Sequence, residues 1–160
     1  MYLNNLGGIA LSYNVQIKKV STEIEFDLPK KMTTYSSGYD LIAAIASPLI
    51  IQPGERILVP SGIAISMPNY LEAQVRPRSG LAYKHGITVL NSPGTVDADY
   101  RGEIKVLLIN HSKEQYIIQP KDRIAQLVFQ EIPEIQLIQV DELTVTERGS
   151  GGFGHTGFKS

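Results

Sequence analysis

Short apolar runs of strand length, separated by polar, Gly- and Pro-containing turns, follow one another along this chain. Val15 and Ile17 stand two apart and predict a short strand over residues 15–20 with one apolar face. Residues 41–45 carry no polar side chain and predict a run buried on both faces, with Asp40 at its mouth. The turn signals Gln52-Pro53-Gly54-Glu55-Arg56 and Pro68-Asn69-Tyr70 delimit further strands over residues 57–59, 63–66 and 72–75. Residues 104–109, residues 123–129 after the turn at 119–122, and a last strand after Pro133 complete the pattern. Only residues 76–87 break the rhythm; two glycines, Gly80 and Gly86, stand in this stretch, which predicts a helical turn or short helix. Strands of four to eight residues with turn signals about every ten mark an all-β sandwich or barrel.

Composition narrows the class. A chain of 160 residues without repeat or linker predicts one core. Residues 1–14 read as a polar extension, 15–146 as a single β domain and 147–160 as a flexible, glycine-rich C-terminal arm. A net charge of −1 offers no broad field for nucleic acid or an anionic membrane, so any bound anion must be held by local groups. No apolar run approaches the ~18 residues of a membrane span, and the first residues lack a basic leader. Without cysteine the chain has neither disulfides nor thiolate chemistry, which fits a cytoplasmic enzyme.

The stretch from Asn91 to Ile104 concentrates candidate chemistry. Ser92-Pro93-Gly94-Thr95 reads as a turn, with Pro presetting φ and Gly accepting a positive one. Asp97, Asp99 and Tyr100 follow, just ahead of a β-rich run. Local sequence leaves two readings open, a solvated hairpin tip and a site aimed by a rigid strand. A calcium loop fails, because Arg101 and Leu108 occupy positions that need oxygen ligands.

Other segments add polar groups. Arg78-Ser79-Gly80 offers a cation and a hydroxyl, and amides suited to an anion if a helix begins there. Gln126 stands on an apolar strand, where its amide needs partners, structural or otherwise. The arm carries five glycines in the nine positions from Gly149 to Gly157, together with Arg148, Phe153 and Thr156. It reads as a flexible tail or as a segment able to wrap a phosphate and a ring. Gly149 and Gly154 have the spacing of a P-loop, but His155 stands at the lysine position and no helix can follow. The three histidines lack zinc-ligand spacing. Asp40, Asp97 and Asp99 are hard oxygen donors of the kind that suits Mg²⁺ held with waters and phosphates. Cations, hydroxyls, carboxylates and two rings together describe a nucleoside triphosphate site without a Walker motif.

Five ordered segments resemble the motifs of the trimeric dUTPase (dUTP nucleotidohydrolase) family. They are Ser37-Gly38-Tyr39-Asp40-Leu41, Pro77-Arg78-Ser79-Gly80-Leu81, Asn91 through Gly102, Arg123-Ile124-Ala125-Gln126-Leu127, and Arg148 through Gly157. Ser150 replaces the commoner acidic residue of the last one. The resemblance covers about residues 15–157 and assigns nothing to the N-terminal extension.

It implies a distorted jelly-roll-like β-barrel of the β-clip type, with one short helix, assembled as a homotrimer whose active sites are shared. It implies hydrolysis of dUTP to dUMP and pyrophosphate with Mg²⁺, which limits uracil incorporation into DNA and supplies dUMP for thymidylate synthesis. Asp97 would activate the water that attacks the α-phosphorus. Tyr100 would pack on the deoxyribose and refuse a 2′-hydroxyl. The hairpin from about residue 86 to 100, with Asn91 and Val96, would receive uracil largely through its backbone. Arg78, Ser79, Gly80 and Gln126 would hold phosphates, and Asp40 would reach Mg²⁺ through its waters. Phe153 would stack on uracil, with Arg148, Gly154 and Thr156 at the phosphates, so that the arm closes over a neighbouring subunit's site. A dCTP deaminase of the same fold and a non-catalytic nucleotide-binding trimer are the alternatives.

Overall fold

A computed structural model of the chain describes residues 12–152. Eleven strands and one helix follow in order: β1 (Gln16–Lys19), β2 (Tyr39–Ile42), β3 (Leu49–Ile51), β4 (Arg56–Pro60), β5 (Ile63–Ser66), β6 (Leu71–Arg76), α1 (Ser79–His85), β7 (Ile87–Val89), β8 (Gly94–Val96), β9 (Lys105–Asn110), β10 (Tyr116–Ile118) and β11 (Arg123–Glu131). The largest sheet has the order β2-β11-β6-β8, a second β4-β9-β7, and β1-β5 and β3-β10 form two pairs. Every pairing is antiparallel. The expected all-β, jelly-roll-like architecture holds, but the ladders do not join into a closed barrel.

Period-two patterning places the core. In β6 Leu71, Ala73 and Val75 point inward, and in β9 Val106, Leu108 and Asn110 do. These two sheets, with Leu41, Ile51, Val59, Ile63, Ile87 and Leu127, enclose one apolar cluster. Asn110 is fully buried yet satisfied: its Nδ2 donates to Ile51 O (3.0 Å) and Glu114 O (2.8 Å), and its Oδ1 accepts from Ser112 N (2.9 Å).

Three expectations need correction. No strand follows Pro133 among the described residues; β11 ends at Glu131, and residues 133–150 are exposed with Ile135, Leu137, Ile138 and Val140 in the open. Among the described residues no strand pairs with this apolar run. The run predicted over residues 41–45 is strand only to Ile42, although Leu41, Ala43, Ala44 and Ile45 are buried as expected. The presumed hairpin over residues 86–100 is a crossing between sheets, because β7 is laddered to β9 and β8 to β6.

The turn before β11 holds Lys121 at φ 67°, closed by Asp122 N donating to Gln119 O (3.1 Å). A left-handed conformation costs a residue with a Cβ about 1–2 kcal/mol, while Gly costs about 0.5–1 kcal/mol more in unfolded-chain entropy. Lys121→Gly is therefore expected to stabilise by about 0.5–1 kcal/mol, visible as a rise of roughly 1–4 °C in Tm. A fall in Tm would mean that the lysine side chain contributes more than its backbone strain removes.

Candidate active site

Antiparallel pairing of β2 with β11 sets Gln126 opposite Asp40, and β6 brings Arg76 to the other side of Gln126. The β2–β11 register shifts between Arg123 and Ala125, so Arg123 faces Ile42 while Gln126 faces Asp40. A regular strand would put Arg123 and Gln126 on opposite faces, being an odd number of residues apart. The extra residue of the bulge brings them onto one face. Arg123 Nη1 accordingly meets Asp40 Oδ2 at 2.9 Å, and Arg78 Nε lies 3.7 Å from Asp40 Oδ1. Arg78 Nη1 also donates to Arg123 O (2.7 Å), and Gln126 Nε2 donates to Pro77 O (3.3 Å). Asp40, Arg78, Arg123 and Gln126 thus form one half-buried constellation. Arg123 had no assigned role on sequence grounds, since a bulge leaves no pattern in the residues themselves.

Helix α1 begins as expected beside this group. Arg78 is its N-cap with extended backbone (φ −96°, ψ 123°) and no side-chain cap, and Ser79 and Gly80 are exposed in the first turn. Gly86 ends the helix at φ 65°, its N–H turned back to Ala82 O and Leu81 O. A Cβ there would lie 2.8 Å from Ser112 N, so close approach reinforces the choice of glycine. Tyr116, against His85 at 5.0 Å between ring centroids, has its phenol pKa raised by burial and by Asp122.

A second group lies on the segment around β8. The turn occupies residues 90–93 with a cis Ser92–Pro93 bond, and Gly94 is already strand without a positive φ. A Cβ on Gly94 would lie 3.1 Å from Nδ2 of the exposed Asn91 side chain and at ordinary contact distance, 3.5 Å, from Val75 Cβ. Val96 is buried, which anchors the exposed Asp97 that follows it. Tyr100 N donates to Asp97 O (3.1 Å), and Arg101 Nη1 clips the loop through Ala98 O (2.6 Å). Asp97 and the half-exposed Tyr100 line a cleft of about 320 Å³ with Leu58, Thr95, Val96 and Glu103. Leu58 and Glu103 are further lining residues that local sequence did not mark.

The two groups do not meet within one chain. Asp40 is on edge strand β2 and Asp97 follows edge strand β8 of the same four-stranded sheet. Three strand spacings separate those edges by about 14 Å. Along the strands, Val96 stands opposite Ala73, whereas Gln126 stands opposite Arg76, a further offset of about 10 Å. Asp40 and Arg123 line a different cavity, of about 450 Å³, with Lys19, Phe26, Lys30 and Lys121. In the arm, Arg148 Nε donates to Gly151 O (2.9 Å) and the side chain is exposed. Phe153, Gly154 and Thr156 lie outside the described residues.

Comparison with known proteins places the chain in a family. The dUTPase family profile matches residues 24–157. The deoxyuridine 5'-triphosphate nucleotidohydrolase of Fusobacterium nucleatum subsp. nucleatum is 52% identical over 143 residues, 89% of this chain and 97% of that protein. The Rickettsia felis protein of the same name is 55% identical over 143 residues, covering 89% and 96%. Among solved structures, a mutant dUTPase of Staphylococcus bacteriophage 80alpha with dUpNHpp superposes with TM-score 0.79 at 26% identity, covering 92% of this chain and all of that one. A mutant dUTPase of phage phi11 of S. aureus, described with a structural Mg(II) ion, shares the fold with TM-score 0.73 at 22% identity, covering 82% and 99%. With a profile match across most of its length and relatives more than half identical, the chain belongs to the dUTPase family.

Proposed function

We propose that Asp97 activates the water by which this chain hydrolyses dUTP to dUMP and pyrophosphate. The observation that carries this reading is the cleft in which Asp97 and Tyr100 stand together, behind a buried Val96. A carboxylate within reach of water can take its proton as the oxygen attacks the α-phosphorus. Tyr100 walls the same cleft and gauges the sugar, and Asn91 with the backbone of residues 90–96 receives the base. A slot that hydrogen-bonds uracil rejects cytosine, whose reversed donor and acceptor would leave buried groups unpaired.

Arg78, Arg123 and Gln126 hold the phosphates, with Ser79 and Gly80 at the start of α1. Among the described residues no group of three or more His, Cys, Asp or Glu gathers to cage a metal. Asp40, a hard oxygen donor, would hold Mg²⁺ through the waters such a cation retains, with the triphosphate supplying its other ligands. Such an ion neutralises charge on the phosphates. Asp40 is shared with Arg78 and Arg123 until substrate competes for the two guanidinium groups.

The site is assembled between subunits of a homotrimer. Support comes from the separation of the Asp97 and Asp40 groups and from the exposed apolar run after Pro133, which wants a partner. The 147–160 arm closes over a neighbour's cleft. Pyrophosphate release from dUTP, UTP, dTTP and dCTP in parallel, with Mg²⁺, tests the activity: strong preference for dUTP is expected, and conversion of dCTP to dUTP would overturn it.

Gly38 offers a separate check on Gln126. A Cβ at Gly38 would lie 2.5 Å from Gln126 Oε1 and 3.1 Å from its Cβ. Gly38→Ala is expected to displace the amide and raise KM for dUTP about 3–10-fold, the worth of one hydrogen bond. An unchanged KM in a folded Gly38→Ala protein would remove Gln126 from the phosphate site.

A further inference from the structure

Tyr100 is a sugar gauge only if its ring is held at a fixed angle, and the ring stands on a loop rather than a strand. Its hydroxyl donates to Glu103 O at 3.0 Å, and a Cβ on Gly102 would lie 2.6 Å from the ring's Cζ. The phenol is therefore folded back over Gly102, where a Cβ would displace it, and tethered to the next residue.

Glu103 is itself fastened to the turn between β4 and β5. Its Oε1 accepts from Gly62 N at 2.9 Å. The peptide unit that presents Glu103 O to Tyr100 points its N–H, that of Ile104, at Ile63 O (2.9 Å). Ser61 adds its own N–H to Ile104 O (3.2 Å), and its buried hydroxyl reaches the same oxygen. The anchor is rigid: Gly62 has φ 74° and is so enclosed that a Cβ would lie 2.6 Å from Phe26 Cζ and 2.8 Å from Ala44 Cβ. Among the described residues no Lys or Arg pairs with the Glu103 carboxylate, so its use here is as an acceptor of the right reach and not as a charge.

We infer that Glu103 is a positioning residue for substrate selection, transmitting the rigidity of the Ser61-Gly62 turn to Tyr100 and thereby setting discrimination between deoxyribose and ribose. The inference rests on Tyr100 being the sugar gauge. If the carboxylate lets go of Gly62, the 101–103 segment and the tethered phenol gain freedom, and a 2′-hydroxyl finds room.

Two substitutions separate reach from charge. Glu103→Asp keeps the charge but is one methylene too short, whereas Glu103→Gln keeps the reach and an acceptor oxygen without the charge. The readout is the ratio of kcat/KM for dUTP to that for UTP, with Tm measured on each protein. Glu103→Asp is expected to lower the ratio about 3–10-fold, the worth of one hydrogen bond, with most of the change in UTP hydrolysis. Glu103→Gln is expected to stay within about twofold of the parent, within the same scale. Tyr100→Phe is expected to lower the ratio as well, and to add little on top of Glu103→Asp, because the two act through one tether. An unchanged ratio in Glu103→Asp, or an equal loss in Glu103→Gln, overturns the inference while leaving the hydrolase reading intact. A parent protein that does not prefer dUTP to UTP removes the gauge itself, and both fall.

Discussion

Asp97→Asn is expected to leave dUTP bound and to reduce its hydrolysis by about 10²–10⁴-fold, the usual contribution of a positioned general base. The substitution keeps size and hydrogen bonding but removes the ability to take a proton from water. It also removes a negative charge from a cleft that receives a triphosphate, so affinity is expected to hold or improve. Pyrophosphate release gives the rate, and calorimetry on the variant gives the affinity. Asp99, exposed two residues further on, supplies the internal control. Asp99→Asn is expected to turn over normally, since Asp99 does not line the cleft of Asp97 and Tyr100. Near-parental turnover in Asp97→Asn would mean that another group activates the water.

Deleting residues 148–160 is expected to give a folded protein with little activity. The segment leading to the cut makes no strand, and every residue from Pro133 to Ser150 is exposed, so the core does not lean on it. Among the described residues the Arg148 side chain bonds only within its own turn, to Gly151 O at 2.9 Å. On the proposed roles of Arg148 and Phe153, the deletion would remove a charge-assisted phosphate contact worth about 1.5–3 kcal/mol and ring stacking on a base worth about 1–3 kcal/mol. Together these correspond to a fall in kcat/KM of about 10²–10⁴-fold. Thermal unfolding and sedimentation are expected to match the full chain. A large fall in Tm, or a change in assembly, would show that the arm is part of the scaffold and not a lid.

These predictions draw on features of different visibility in the chain. The strands over residues 72–75 and 104–109 were legible as short apolar or β-rich segments between turn signals, and in β6 the burial of one face imposes a period of two on the residues. Short α1 was legible from the glycines at 80 and 86, since a C-cap at φ 65° all but demands glycine. Gly94 was misread: its surroundings suggested a left-handed turn, but it stands in β8 without a positive φ. Which strand a residue joins depends on a partner far along the chain, and that has no local signature. The strand expected after Pro133 failed for a related reason. An apolar run states that it needs burial but not which surface supplies it.

By itself the sequence determined the all-β class and most strand positions, and it marked the candidate residues for the chemistry, because strand periodicity and turn chemistry act over a few neighbours. The order of its motifs also determined the family. Only the tertiary structure decided how those residues group. A one-residue bulge moved Arg123 onto the face of Asp40, and the pairing of β7 with β9 and β8 with β6 carried Asp97 to the sheet edge opposite Asp40. Glu103 acquired a partner 41 residues away, at Gly62. Ladder register and long-range hydrogen bonds arise from the packing of the whole core, and no short stretch of residues contains that information.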